Sequence, residues 1–105
     1  MDFAEQDRVE RAKLLKPFAD VRVQRLVQAL LRGEKCTHEL AEYTLIPQST
    51  VSYQMKMLCE SGFVKRRKDG KWTYYRLCPE GVTALKEELE HMVQVCDRCL
   101  NSMKR

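Results

Sequence analysis

Two runs rich in aromatic and apolar residues, Phe63 to Arg67 and Trp72 to Leu77, flank the dipeptide Asp69-Gly70. Asp-Gly tolerates the positive backbone angles of a tight turn between antiparallel strands, so this stretch predicts a hairpin over residues 63–77. Elsewhere the apolar residues recur at helical spacing. Val23, Leu26, Val27, Leu30 and Leu31 fall at i, i+3, i+4, i+7 and i+8 and stop at Gly33, the pattern of an amphipathic helix. Before them, Asp2 and Glu5 resemble a capping box that opens a first helix with Val9, Ala12 and Leu15 on one side; Pro17 ends or kinks it. The chain is thereby restricted to a mainly helical fold carrying a small β-hairpin.

Two short helices are expected between these segments. Thr37 can cap one that runs to about Tyr43 with Leu40 and Ala41 inward, and Pro47 suits the first turn of the next. In the latter, Val51, Met55 and Leu58 share a face, Gly62 closes the end, and Gln48, Ser49, Ser52, Tyr53 and Lys56 point elsewhere. From about Pro79 to Ser102, Val82, Leu85, Leu89, Met92, Cys96, Cys99 and Met103 alternate steps of three and four, a heptad seam. At 105 residues the chain fits one domain, 1–105, with a core small enough that a dimer would usefully cover the remaining apolar surface. The seam residues Val82, Leu85, Leu89, Met92, Cys96 and Cys99 are the expected dimer interface. About five helices and a two-stranded wing result: terminal helices over 1–17 and 79–102 at the interface, a helix-turn-helix over 37–60 and the wing over 63–77.

Charge is unevenly placed. Between Pro47 and Tyr75, Lys56, Lys65, Arg66, Arg67, Lys68 and Lys71 face only Glu60 and Asp69, so this stretch carries the chain's whole net charge of +4. Concentrated positive charge suits a polyanion, although a merely solvated lysine-rich face would look similar. The arrangement of a polar-faced second helix and an adjoining basic hairpin favours DNA, because such a helix fits the major groove while the hairpin lies along the backbone. Gln48, Ser49, Thr50, Tyr53 and Gln54, with Ser52 beside them, can exchange hydrogen bonds with base edges. Lys56, Arg66, Arg67, Lys68 and Lys71 can pair with phosphates. Trp72, Tyr74 and Tyr75 are expected to pack onto a core, as large alternating strand residues do. A protein-interaction module that uses the same basic scaffold is the rival of another class. No nucleophile-base pair, phosphate loop or paired carboxylates appear, so an enzyme is not expected. No apolar run approaches the roughly 18 residues of a membrane span and the first 20 residues are charged throughout, so a cytoplasmic location and reduced thiols are expected for the five cysteines.

Three runs, Gly33-Glu34-Lys35-Cys36-Thr37-His38-Glu39-Leu40-Ala41, Pro47-Gln48-Ser49-Thr50-Val51-Ser52 and Gly70-Lys71-Trp72-Thr73-Tyr74-Tyr75-Arg76-Leu77, resemble the ArsR/SmtB family of metal-responsive repressors. The resemblance extends over residues 15–95 or so. It implies a dimeric winged helix-turn-helix protein, with the first and last helices at the interface, that represses an operon from double-stranded operator DNA until an inducer lowers its affinity. The chain departs from the family at several points. Ala19-Asp20-Val21-Arg22-Val23 replaces the usual Ala-Asp-Pro-Thr-Arg, and Leu45 stands at a turn glycine, which implies strain or a reshaped turn. Pro47 replaces a capping serine, and Tyr53 and Gln54 replace two histidines.

Cys36 and His38 occupy the place of a cysteine pair that binds arsenic, lead or cadmium in some members. They could supply two ligands of a site that needs one or two more; otherwise Cys36 is a half-buried packing residue beside an exposed histidine. Cys96 and Cys99, spaced i, i+3 on the seam, could gather four sulfurs with a symmetry mate to hold As(III), Cd(II) or Zn(II), with Pb(II) among the other candidates, or could complete the dimer core as small hydrophobes. Gly81, Met92 and Val95 fall near the places of the family's interfacial zinc ligands, and Glu88 and His91 do not rebuild that pattern. Cys59 and Cys78 are expected to be packing residues. The same thiols could instead sense oxidants or persulfides. No cofactor is expected to be required for folding.

Overall fold

The computed structural model describes residues 3–93, which form five helices and a three-stranded sheet in the order α1 (Phe3–Leu15), α2 (Val21–Leu30), β1 (Lys35–Cys36), α3 (Thr37–Thr44), α4 (Gln48–Glu60), β2 (Val64–Asp69), β3 (Trp72–Leu77) and α5 (Pro79–Val93). Pro17 breaks α1 as expected, and the chain passes through a single 3-10 turn, Lys16–Ala19, in which Pro17 itself is buried. Asp20 then caps α2: its carboxylate accepts the Arg22 backbone N–H at 2.8 Å. Helix α2 buries Val23, Leu26, Ala29 and Leu30, whereas Leu31, assigned by spacing to the same stripe, stands at the helix end and is exposed. Leu31 still donates its N–H to the Val27 carbonyl at 3.1 Å, and at about 100° per residue it lies beyond the half-buried Val27, past the edge of the buried stripe.

The short strand β1 was not foreseen, since two residues carry no periodicity. It pairs antiparallel with β3, Lys35 opposite Tyr75 and Cys36 opposite Tyr74, giving the sheet the order β1-β3-β2. The expected cap of α3 also shifts by one residue. Cys36, not Thr37, is the cap: its Sγ accepts the Glu39 N–H at 3.5 Å, while the Glu39 carboxylate accepts the Cys36 N–H at 3.0 Å. This reciprocal box satisfies two backbone donors that the helix itself cannot. Likewise Pro47 precedes α4 as its cap residue rather than occupying its first turn, and its carbonyl accepts the Val51 N–H at 3.0 Å.

The core gathers Leu26 and Leu30 of α2, Leu40 of α3, Val51, Met55 and Leu58 of α4, and Phe63, Val64 and Tyr75 of the hairpin. Phe18 meets Phe63 edge-on at 4.6 Å. The start of α5 crosses the turn after α4 so closely that a Cβ on Gly81 would lie 1.9 Å from the Gly62 carbonyl oxygen. From there α5 sends Leu85 toward the core and leaves Val82, Leu89 and Met92 in water. Arg11 of α1 reaches Glu88 of α5 at 3.4 Å. No helix among the described residues is long and apolar enough to cross a membrane. Cys96 and Cys99, assigned from sequence to the seam, lie outside the described residues.

Candidate nucleic-acid interface

Helix α4 is amphipathic about a boundary that the hairpin continues. Gln48, Ser49, Ser52, Tyr53 and Lys56 are exposed, with Tyr53 at 63%, and Thr50 is half-buried. Gln54, expected at base edges, is instead 6% exposed, and its amide nitrogen lies 3.5 Å from Asp20 Oδ2. At 3.6 residues per turn, position 54 falls three after Val51 and four before Leu58, within the inward stripe, so the helical spacing itself carried the signal. Asp20 thus ties α4 to the start of α2. Its carboxyl is held below the usual range chiefly by Arg22, whose guanidinium forks onto it at 3.3 and 3.0 Å. The neighbouring departure, Val23, is fully buried in the core.

The hairpin is closed by Gly70 and Lys71, because Asp69 already pairs with Trp72. Gly70 adopts φ 59° and Lys71 does not go positive, the pattern of a turn with glycine at its first central position. Strand alternation separates the cations into two groups. Val64, Arg66 and Lys68, with Thr73 and Tyr75 opposite them, turn toward α4 and line with Ser52, Lys56, Cys59 and Glu60 a groove of about 720 Å³. Arg67 lies on the other face, where its guanidinium forks onto Glu34 at 3.3 and 2.5 Å, approaches Asp69 at 3.9 Å and covers the Tyr74 ring at 4.6 Å. That fork holds the Glu34 carboxyl below its usual range. Among the described residues, no carboxylate lies within ion-pair distance of Lys56, Arg66, Lys68 or Lys71. The five cations assigned to phosphates therefore divide into four without a counter-ion and one already neutralised within the protein.

The three aromatics of β3 divide as well. Tyr75, mid-sheet between β1 and β2, is buried as expected. Tyr74 is half-buried beneath Arg67, whereas Trp72, next to the turn and beyond the reach of the core, is 45% exposed with the Lys71 ammonium 5.4 Å from its ring centre.

A polar link joins α3 to the first residue of α4. His38 Nδ1 lies 2.9 Å from Gln48 Nε2, and His38 Nε2 lies 3.0 Å from Glu42 Oε1. The adjacent thiol of Cys36 is buried and engaged at the helix cap. Cys78 is buried with its thiol donating to Glu80 Oε2 at 3.0 Å. Cys59 is half-buried, and desolvation pushes its thiol up, partly opposed by the charge of Arg66. Among the described residues no three His, Cys, Asp or Glu side chains stand close enough to hold a metal ion, so Cys36 and His38 gain no third ligand there.

Comparison with known proteins agrees with this architecture. The model of the family described as "Bacterial regulatory protein, arsR family" matches residues 20–66. A cadmium resistance transcriptional regulatory protein, a CadC homolog of Staphylococcus aureus, is 34% identical over 88 residues, which cover 83% of this chain and 73% of that protein. A transcriptional repressor SmtB homolog of Synechocystis is 33% identical over 88 residues, 84% of this chain and 67% of that one. The crystal structure of a possible transcriptional regulator for arsenical resistance superposes with a TM-score of 0.70 at 33% identity, covering 86% of this chain and 95% of the other. These relatives are regulators of transcription rather than enzymes. The chain belongs to the ArsR/SmtB family of winged helix-turn-helix transcriptional repressors.

Proposed function

We propose that the chain acts as a homodimer on an inverted-repeat operator and is released from it by a thiol-binding inducer, either trivalent arsenic or a soft or borderline divalent metal. The observation that carries the DNA-binding part is the continuous surface formed by the exposed side of α4 and the α4-facing side of the wing. Gln48, Ser49, Ser52 and Tyr53 offer hydrogen-bonding groups beside Lys56, Arg66 and Lys68, which have no acidic partner among the described residues. A symmetric dimer would present this surface twice, with the recognition helices about 34–36 Å apart to meet successive major grooves. Its seam is supported by the row Val82, Leu89 and Met92 on α5, which the single chain leaves in water.

The inducer class is supported by the relatives, among them regulators of cadmium and arsenical resistance. Thiolate is the ligand such ions favour. Cys36 would have to leave its capping role to bind one, and Cys96 and Cys99 remain the other candidates. Either way, the ion acts only through its different affinity for the free and the operator-bound dimer. The test is a gel-shift titration with the DNA upstream of the chain's own operon, repeated with arsenite, Cd(II), Zn(II), Pb(II) and peroxide. Salt-sensitive, sequence-selective binding that arsenite or a metal ion reverses is the expected result. Binding that peroxide alone reverses would replace the metal inducer with an oxidant. Absence of selective binding would leave the surface to a protein partner.

A further inference from the structure

We propose that His38 is a positioning residue for Gln48 and that Gln48, held in this way, selects adenine at one base pair of each operator half-site. The inference rests on the DNA-binding reading above.

Gln48 is the first residue of α4 and is exposed, whereas His38 projects from α3. It is the amide nitrogen of Gln48, not its oxygen, that lies 2.9 Å from His38 Nδ1, and the identity of that atom decides the roles of both groups. An amide nitrogen can donate but not accept, so Nδ1 must be the bare, accepting nitrogen of the imidazole. The ring proton then resides on Nε2, where Glu42 Oε1 accepts it at 3.0 Å. Glu42, His38 and Gln48 form a directed chain in which the carboxylate selects the tautomer and the tautomer orients the amide.

The consequence lies in what the amide has left to offer. When His38 takes the amide hydrogen anti to the oxygen, the oxygen and the N–H on the same edge remain. That is an acceptor beside a donor, the complement of adenine, whose major-groove edge presents the N6 amino group as donor and N7 as acceptor. With the nitrogen anchored, the amide is held with one edge presented, whereas a free glutamine on an exposed helix start must be ordered on binding before it can offer the same pair of groups. A purely mechanical tie between α3 and α4 would give a different result, altering affinity for every sequence alike.

The experiment uses the full chain and its operator duplex, competed at one salt concentration against duplexes carrying each single base-pair replacement. The wild type should prefer A·T at one position in each half-site, and Q48A should erase that preference. H38A should reduce it about 3- to 10-fold, the weight of one oriented hydrogen bond, while leaving discrimination elsewhere and the salt dependence unchanged. H38N, which restores an acceptor at that place, should recover part of the loss. Thermal unfolding of each variant verifies that it is folded. The proposal is overturned if H38A leaves that position unchanged, if it weakens all duplexes equally, or if the position lost in Q48A is not adenine. Failure of the underlying reading looks different: the wild type itself would then bind no duplex selectively.

Discussion

Leu45 occupies the left-handed region, φ 59° and ψ 31°, at the end of α3, with its side chain 89% exposed. A Cβ in that region crowds the following carbonyl and costs about 1–2 kcal/mol, and an exposed side chain gains no burial to offset it. Replacing Leu45 with glycine should therefore raise stability by about 0.5–1 kcal/mol even after glycine's greater freedom in the unfolded chain is subtracted, read as a higher urea midpoint at unchanged slope. Here the sequence was legible down to its consequence, because leucine at a position that calls for glycine can be noticed without coordinates. Gln54 was legible only in part. Its spacing from Val51 and Leu58 placed it inside, but a polar side chain beside Tyr53 invites assignment to the surface, and the partner that accommodates it, Asp20, is 34 residues away. Gly81 gave no local sign of its role, since what forbids a side chain there is the backbone of Gly62.

Among the elements, α3 and the wing show how local chemistry sets behaviour. The Glu39 carboxyl is held below its usual range, chiefly by the Cys36 backbone N–H and then by its side chain. A carboxyl with a depressed folded value contributes stability above the ordinary glutamate value of about 4.3, and that contribution disappears as pH falls through the lower value of the folded state. Urea unfolding below about pH 4.3 should show the wild type losing more stability than Glu39→Gln, whose side chain keeps a capping acceptor without titrating; parallel pH curves would contradict the assigned role. The expected Thr37 cap failed because threonine is the commoner capping residue, whereas the cysteine before it was already fixed by pairing with β3. In the wing, alternation separates Arg66 from Arg67. Arg66→Ala should weaken binding to all DNA and lower the salt-dependence slope by about 1, whereas Arg67→Ala, which removes a charge already bound to Glu34, should change that slope by less than half as much. The hairpin itself was plain from Asp69-Gly70, but which cations share a face depended on a register that places the turn at Gly70 and Lys71.

For the whole molecule, the dominant fact is that α5 places Val82, Leu89 and Met92 in solvent along one stretch while Leu85 packs inward. The steps of three and four made these positions legible as a seam. They did not reveal that Leu85 is taken by the chain's own core. Leu89→Glu should shift the protein toward monomer in sedimentation equilibrium and reduce operator affinity through the loss of paired half-sites, while leaving the helical content of the single chain near that of the wild type. A variant that dimerises as the wild type does would locate the interface elsewhere.

Trp72 is the chain's one tryptophan, and it stands exposed at the tip of the wing beside the Lys71 ammonium. The protein thus carries a natural fluorophore at the place where a duplex would arrive. Excitation at the red edge of indole absorption should report the environment of that single tip, free of any emission from the core. Adding operator should shield it from iodide and alter its emission with the same midpoint as a gel shift, without any label attached.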